Sequence, residues 1–287
     1  MKPVLALLFS ASFWGFLWFP ARTLQEMGLP GIWQLFASYI PALLVLSLAR
    51  GVRTEGIAHK PLDVLLLVMA AGWTNVAFVL AILQHEVVRV LILFYLSPLW
   101  AVVLGHWLLG ERVRRITGWM LLLGVGGAGI MLWQEGILSS PPGKGDALAL
   151  SAGFSFALTN VMTRRLQHLG TALKTQLAWL GGLLVCVLLL AMDAEPFPVV
   201  PGRVWLGAVL LGVLGYMFAT LAAVYAVSRM PVQRFSIIML FELLVGAVSA
   251  WLLAGEIVEG REWLGGAMIL MAGVVAVMAD TRRKAYV

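Results

Sequence analysis

Along this chain, apolar runs of about the length of a membrane crossing alternate with short polar breaks. Ten such runs can be marked, at residues 3–23, 31–49, 62–83, 88–109, 115–134, 146–166, 172–192, 203–227, 232–254 and 262–280. An α-helix rises about 1.5 Å per residue, so about twenty residues cross the ~30 Å hydrocarbon core of a bilayer. A lone helix satisfies its own backbone N–H and C=O groups, which lipid cannot do. The pattern predicts an all-α membrane protein with ten transmembrane helices. The connections are short. The longest, residues 134–146, contains Ser139-Ser140-Pro141-Pro142-Gly143 and divides the chain into a five-helix N-terminal unit, 1–138, and a five-helix C-terminal unit, 139–287.

Composition strengthens this reading. Charged residues make up 12% of the chain, about half the share of a soluble domain, too few to cover a water-facing surface. The N-terminal run is too long for a signal-peptide core, contains Trp14 and Trp18, and is followed by no small-residue cleavage pattern, so it is read as a retained first helix. Cys186 is the one cysteine, which excludes an internal disulfide.

The net charge of +6 raises the question of nucleic acid, and the distribution of charge answers it. With the N-terminus inside, fifteen of the twenty Lys and Arg residues fall on the inner side, and only Arg22, Arg89, Lys144, Arg203 and Arg261 fall outside. Such an excess records orientation. The expectation is a multi-pass protein of the bacterial inner membrane with both termini cytoplasmic. Its expected partners are the bilayer and a small-molecule solute, not nucleic acid, as a monomer or a homodimer.

The two units also repeat. Leu108-Leu109-Gly110-Glu111 is matched 145 positions later by Leu253-Ala254-Gly255-Glu256, and the same offset brings Arg89 onto Arg234 and Ser97 onto Glu242. An odd number of helices per unit would make the second enter the membrane from the opposite side, giving two inverted five-helix repeats. Inverted repeats mark alternating-access transporters, although some channels also use them.

The stretch Val88 to Gly118, VRVLILFYLSPLWAVVLGHWLLGERVRRITG, resembles the fourth and fifth helices of the EamA-type drug/metabolite transporters, with a Ser-Pro, a Leu-Gly-Glu corner and a following glycine. Trp14-Gly15 is similar to that family's first-helix Trp-Gly, and Gly255-Glu256 repeats the corner. The resemblance spans essentially the whole chain. It implies a ten-helix basket with a central cavity lined by helices one to four and six to nine, the fifth and tenth being peripheral. Two positions depart from the family pattern. Ala37-Ser38-Tyr39 stands where an arginine is common, and Glu242-Leu243 stands where Glu-Pro is common.

Glu242 is the acidic residue deepest inside an apolar run, and an intramembrane carboxyl is costly enough to suggest a function. It can carry a proton during transport, hold a cationic group, or pair with a neighbouring helix. Trp14, Trp18, Gln34, Tyr39, Trp73, Asn75, Tyr95, Ser97, Thr159, Asn160, Tyr216 and Thr220 are polar or aromatic positions in the lining helices. With Glu242 they form the expected substrate-binding set, suited to small amphipathic solutes such as amino acids. Interhelical hydrogen bonding and an interfacial aromatic belt are the competing readings. Arg89 and Arg234 are candidate gates, with Glu86 as an acid partner, or snorkelling anchors. Glu111 and Glu256 are expected to cap the helix that follows each corner.

No Walker-type, G-x-S-x-G or H-E-x-x-H motif occurs, and the histidines lack zinc spacing. An enzyme, a cofactor and a metal are therefore not expected. The sequence favours a secondary transporter, exporting amino acids or related solutes, over a channel or a flippase of lipid-linked solutes. A reporter fused to the C-terminus is expected to read as cytoplasmic, and a periplasmic signal would overturn the orientation.

Overall fold

A computed structural model describes residues 1–52, 54–84, 87–133, 141, 143–192, 196–255 and 258–284. The chain is a bundle of helices joined by short turns. In order these are α1 (Lys2–Phe16), α2 (Trp18–Glu26), α3 (Gly31–Arg50), α4 (Pro61–Gln84), α5 (Val87–Phe94), α6 (Ser97–Leu109), α7 (Arg115–Met131), α8 (Lys144–Arg165) and α9 (Thr171–Met192). There follow α10 (Gly202–Leu210), a π-helical segment (Leu211–Tyr216), α11 (Met217–Val227), α12 (Val232–Met239), α13 (Phe241–Ala254) and α14 (Gly260–Lys284). Of the positions named above, Glu86, Ser139, Ser140, Pro142 and Glu256 lie outside the described residues.

The expected count of ten transmembrane helices in two inverted five-helix repeats is corrected here. Among the described residues, seven helices are long and apolar enough to cross a membrane: Lys2–Glu26, Gly31–Arg50, Arg89–Leu109, Thr171–Met192, Gly202–Val227, Val232–Ala254 and Gly260–Met278. Two shorter apolar stretches are also described, Pro61–Asn75 within α4 and Arg115–Met131. Helix α8 has the length but not the composition, because Asp146, Ser151, Ser155, Thr159, Asn160, Thr163 and two arginines interrupt it. With seven such helices among the described residues, the five-per-unit count on which the inversion argument rested is not found.

Several long helices are broken, and two of the breaks have a local cause. Proline has no N–H to donate to the carbonyl four residues back. Pro20 withholds that bond from Phe16, and the first helix breaks at Leu17 between α1 and α2. Pro98 withholds it from Phe94, and the chain breaks between α5 and α6. The freed carbonyl is where α8 crosses: a Cβ on Gly153 would stand 2.8 Å from the Phe94 oxygen. The π-helical turns before Tyr216 and the break at Leu240 contain no proline.

Helices meet closely where side chains are smallest, as expected where hydrocarbon supplies no drive for association and packing must. Helix α4 packs along α8 and α9, α7 along α14, and α1 along α11 and α13. At the α4–α9 crossing, a Cβ on Gly72 would lie 2.7 Å from the Gly181 carbonyl oxygen, and one on Gly181 would run into the carbonyl of Val68. The outward surface is apolar: Leu48, Trp107 and Leu62 are each more than 70% exposed, which lipid accommodates.

The two ends of the bundle differ. At one, the start of α5 is tied to the start of α8 by Arg89, whose Nε donates to Asp146 Oδ1 at 2.7 Å. At the other, which we call the Ser228 end, Arg165 reaches Asp63 at 2.8 Å and the carbonyl of Leu108 at 3.0 Å. Replacing Gly181 by valine is expected to lower the melting temperature by overpacking, at a cost of about 1–3 kcal/mol. Gly129→Ala, where nothing lies within 4 Å, is expected to leave it unchanged or raise it. Thermal unfolding in detergent checks both.

Candidate functional site

The candidate site is built where α1 crosses α13. A Cβ on Gly15 would collide with the carbonyl oxygen of Glu242 and lie 2.8 Å from Val245 Cβ, so only glycine lets the two backbones touch here. This gives the Trp14-Gly15 pair its physical role. Gly15 fixes the approach, and its neighbour Trp14 joins a set of rings. The phenol of Tyr95, in the break between α5 and α6, meets the carboxyl of Glu242 at the start of α13. Both side chains are partly buried.

The rings come from four elements. Phe13 and Trp14 on α1 lie 5.7 and 5.5 Å, centroid to centroid, from Tyr216 at the end of the π-helical segment. Tyr216 lies 5.5 Å from Tyr39 on α3, and Tyr39 stacks on Trp179 of α9 at 6.1 Å with the planes 21° apart. Edge-to-face and offset stacking suit the quadrupoles of such rings. Tyr39 and Asn75 both border Gly182 of α9, where a Cβ would come within 3.1 Å of the Tyr39 ring and 3.8 Å of the Asn75 amide.

Of the residues predicted from sequence, Trp14, Tyr39 and Tyr216 are thus brought together, Asn75 borders Tyr39, and Tyr95 meets Glu242. Others are engaged elsewhere. Trp18 donates to Ser249 Oγ at 2.8 Å, tying α2 to α13. Gln34 donates to the carbonyls of Leu29 at 2.8 Å and Ala21 at 3.1 Å, pinning the turn between α2 and α3. Trp73 is 45% exposed and donates to Ser151 Oγ on α8. Thr159 bonds the carbonyl of Ser155 within its own helix. Ser97 is buried at the start of α6, Asn160 is buried in α8, and Thr220 is half-buried with its hydroxyl turned inward. Phe13, Trp179 and the close approach at Gly182 escaped the sequence reading because aromatic and glycine residues on an apolar helix carry no periodic signal.

The two arginines proposed as gates lie in different settings. Arg89 finds Asp146, also bonded to the Gly143 N–H. Arg234 donates through Nε to the carbonyl of Ala276 on α14 at 2.7 Å. Glu111 is also placed differently from expectation. Its carboxylate accepts the N–H of Val232 at 3.1 Å, capping α12 rather than the helix that follows the corner. Helix α12 starts beside the corner, a proximity across 121 residues of sequence that a linear reading cannot show.

Glu111 belongs to a knot that closes the Ser228 end. Arg164 Nε lies 3.7 Å from Glu111, and its Nη1 donates to the Ser228 carbonyl at 2.7 Å. Lys174, 2% exposed, donates to Ser228 Oγ at 2.5 Å and to the Thr163 carbonyl at 3.0 Å. Corners from α6–α7, α8–α9 and α11–α12 are thereby joined. Among the described residues, no group of three or more His, Cys, Asp or Glu side chains could hold a metal.

The EamA-like transporter family model matches this chain twice, over residues 1–133 and 143–278. The chain belongs to that family. Its family is thus one of transporters and not of enzymes. An uncharacterized transporter of Archaeoglobus fulgidus is 29% identical over 205 residues, 71% of this chain and 72% of that protein. Protein RarD of Salmonella typhi is 27% identical over 153 residues, and the match spans about half of each chain, 52% of this one and 49% of RarD. A solved crystal structure superimposes with a TM-score of 0.77 over 97% of this chain and 98% of its own at 18% identity, which shows the shared fold. This is a multi-pass membrane transporter of small solutes.

Burial pushes the Glu111 carboxyl above its ordinary range more than the Val232 N–H and Arg164 pull it down. An acid whose folded pKa is raised binds more protons folded than unfolded. Its contribution to stability is therefore fully present below its ordinary pKa of 4.5 and lost as pH rises through the folded value. Thermal unfolding across a pH series is expected to show this decline, and Glu111→Gln is expected to flatten it.

Proposed function

We propose that this chain is a secondary carrier that exports amino acids or related amphipathic solutes across the bacterial inner membrane by alternating access. Glu242 serves as its proton-coupling carboxyl, and the end rich in basic residues faces the cytoplasm. The observation that carries this reading is the meeting of Glu242 with Tyr95 beside the Gly15 crossing, in a chain whose family is one of transporters. A carboxyl held among helices in lipid is retained at a cost unless it works on a proton or a cation. The twofold match of the family model supports a division into two units, 1–138 and 139–287, between which the solute would pass. The break at Tyr95–Leu96 and the break at Leu240 stand 145 positions apart, the offset that also relates the Gly-Glu corners.

Trp14, Tyr39, Tyr216 and Asn75 would contact the solute, the rings offering flat apolar surface and the amide a donor and an acceptor. Arg89 and Arg234 would act at opposite ends, Arg89 through its pairing with Asp146. The substrate would be bound without any cofactor.

Saturable counterflow in proteoliposomes is the direct test of a carrier. Glu242→Gln is expected to slow proton-driven flux by roughly a hundredfold or more, the usual range for a lost proton-transfer group. It is also expected to leave pH-independent whatever exchange remains. A pH dependence equal to that of the unsubstituted protein would refute the coupling role.

A further inference from the structure

Helices α2 and α10 part along one side and leave a groove of about 370 Å³ between them. Two close approaches fix its register. A Cβ on Gly207 would lie 3.2 Å from the Leu24 side chain and one on Gly28 would lie 3.4 Å from Val200, so the two helices run antiparallel. Met27 therefore comes beside Arg203 at the mouth of the groove, near the start of α10, and Phe19 and Pro20 come beside Leu211 at its inner end. The floor is Leu24 and Val204, 7% and 2% exposed, and the walls open outward, Phe19 and Met27 being 39% and 51% exposed. Leu206 and Leu210, the next positions round α10, are likewise exposed, so the groove faces the hydrocarbon. On the far side of α10, Trp205 stacks on Phe197 at 5.3 Å and Phe197 meets Trp33 of α3 at 5.1 Å, which closes that flank.

The chemistry of the lining is divided. Arg203 stands in the first turn of a membrane-crossing segment, Gly202–Val227, at the end of the bundle opposite Ser228. It is exposed and, among the described residues, has no carboxylate within ion-pair reach. Glu26 on α2, outside the lining, is taken by Arg22 at 3.1 Å. The other polar side chain of the groove, Thr23, donates its hydroxyl to the Phe19 carbonyl at 2.9 Å within its own helix. From Arg203 to Leu211 the groove thus runs apolar for about 12 Å, most of the roughly 15 Å of hydrocarbon in one leaflet. A polar solute would meet one partner and an apolar wall, and a second helix, about 10 Å across, is too wide for a groove whose floor is two helices in contact.

We propose that this groove binds one anionic phospholipid, a phosphatidylglycerol of the leaflet at that end, with an acyl chain along Gly207 and Leu211 and the headgroup phosphate on Arg203. A guanidinium at the edge of the hydrocarbon is suited to a phosphate oxygen pair. The inner end of the groove touches both neighbouring breaks: Pro20 interrupts the first helix, and Leu211 opens the π-helical segment. The bound chain braces α2 against α10 where each is interrupted. This inference does not depend on the reading of Glu242.

The test uses the purified full-length protein, stripped of lipid in detergent, and two phospholipids with a photoreactive diazirine in the acyl chain, phosphatidylglycerol and phosphatidylcholine. Mass spectrometry of the labelled peptides is expected to place the label within residues 19–27 and 203–211, with phosphatidylglycerol favoured about fivefold, the usual effect of one basic residue on an anionic headgroup. Arg203→Gln is expected to remove that preference with no change in the lipid-free melting temperature, and Arg203→Lys to keep it. Thr23→Phe, which fills the groove, is expected to suppress labelling by both lipids. Added phosphatidylglycerol is expected to raise the melting temperature of the unsubstituted protein by mass action and not that of Thr23→Phe. The proposal is overturned if label spreads evenly over the lipid-facing helices, if Arg203→Gln keeps the preference, or if Thr23→Phe is labelled in full. Cross-linking of two copies through these segments would assign the groove to a dimer, and loss of label on adding an amino acid would assign it to the solute; either outcome refutes the lipid site.

Discussion

Hydrocarbon offers no hydrogen bonds, and this fold is arranged around that fact. Every polar group that enters the membrane must find its partner inside the bundle, so the helices come close enough for backbone to touch backbone. Gly72 and Gly181 let α4 and α9 meet, and Gly15 lets α1 lie on α13. The same need fixes many of the polar side chains: Ser38 donates to the Ala208 carbonyl and Ser155 to the Ala70 carbonyl, each across a helix interface. The candidate site consists of what this bonding leaves over. Glu242, Tyr95 and the rings around Tyr216 gather where helices are broken or widened rather than where they pack evenly.

The breaks and the site are therefore one phenomenon. Pro98 frees the Phe94 carbonyl, α8 crosses there on Gly153, and the interruption places Tyr95 opposite Glu242. The Ser228 end is closed by different chemistry, with two cations, Arg164 and Lys174, and one carboxylate, Glu111, linking corners that are distant in sequence. Among the described residues Lys174 donates to the Thr163 carbonyl and the Ser228 hydroxyl and to no carboxylate, so its share of this closure is hydrogen bonding rather than charge pairing.

Much of this was legible in the chain. Apolar run lengths disclosed the helical membrane class, and Trp14-Gly15, Ser97-Pro98 and Gly110-Glu111 disclosed the family. Glu242 stood out because carboxylates are rare in such runs. The number of crossings was not legible, because α8 has the length of a span while carrying the polarity of a lining helix, and hydropathy weighs both at once. The partners of the corner residues were hidden as well. Glu111 caps α12 and Arg89 binds Asp146, pairings of 121 and 57 residues' separation that depend on how helices are arranged and not on their own sequence. Trp18, Gln34 and Trp73 look like pocket residues in one dimension, since sequence alone does not say which side of a helix faces lipid.

The π-helical turns between Leu211 and Tyr216 carry a mechanical consequence. A widened turn holds one residue more than an α-helical turn, and one residue is about 100° of rotation. Tightening those turns to ordinary geometry would swivel Tyr216 and everything as far as Val227 by that angle against Gly202–Leu210, with the backbone bonds of both halves preserved. Tyr216 contacts Phe13, Trp14 and Tyr39. The segment is thus a built-in bearing whose rotation would part all three aromatic contacts without bending or unfolding a helix.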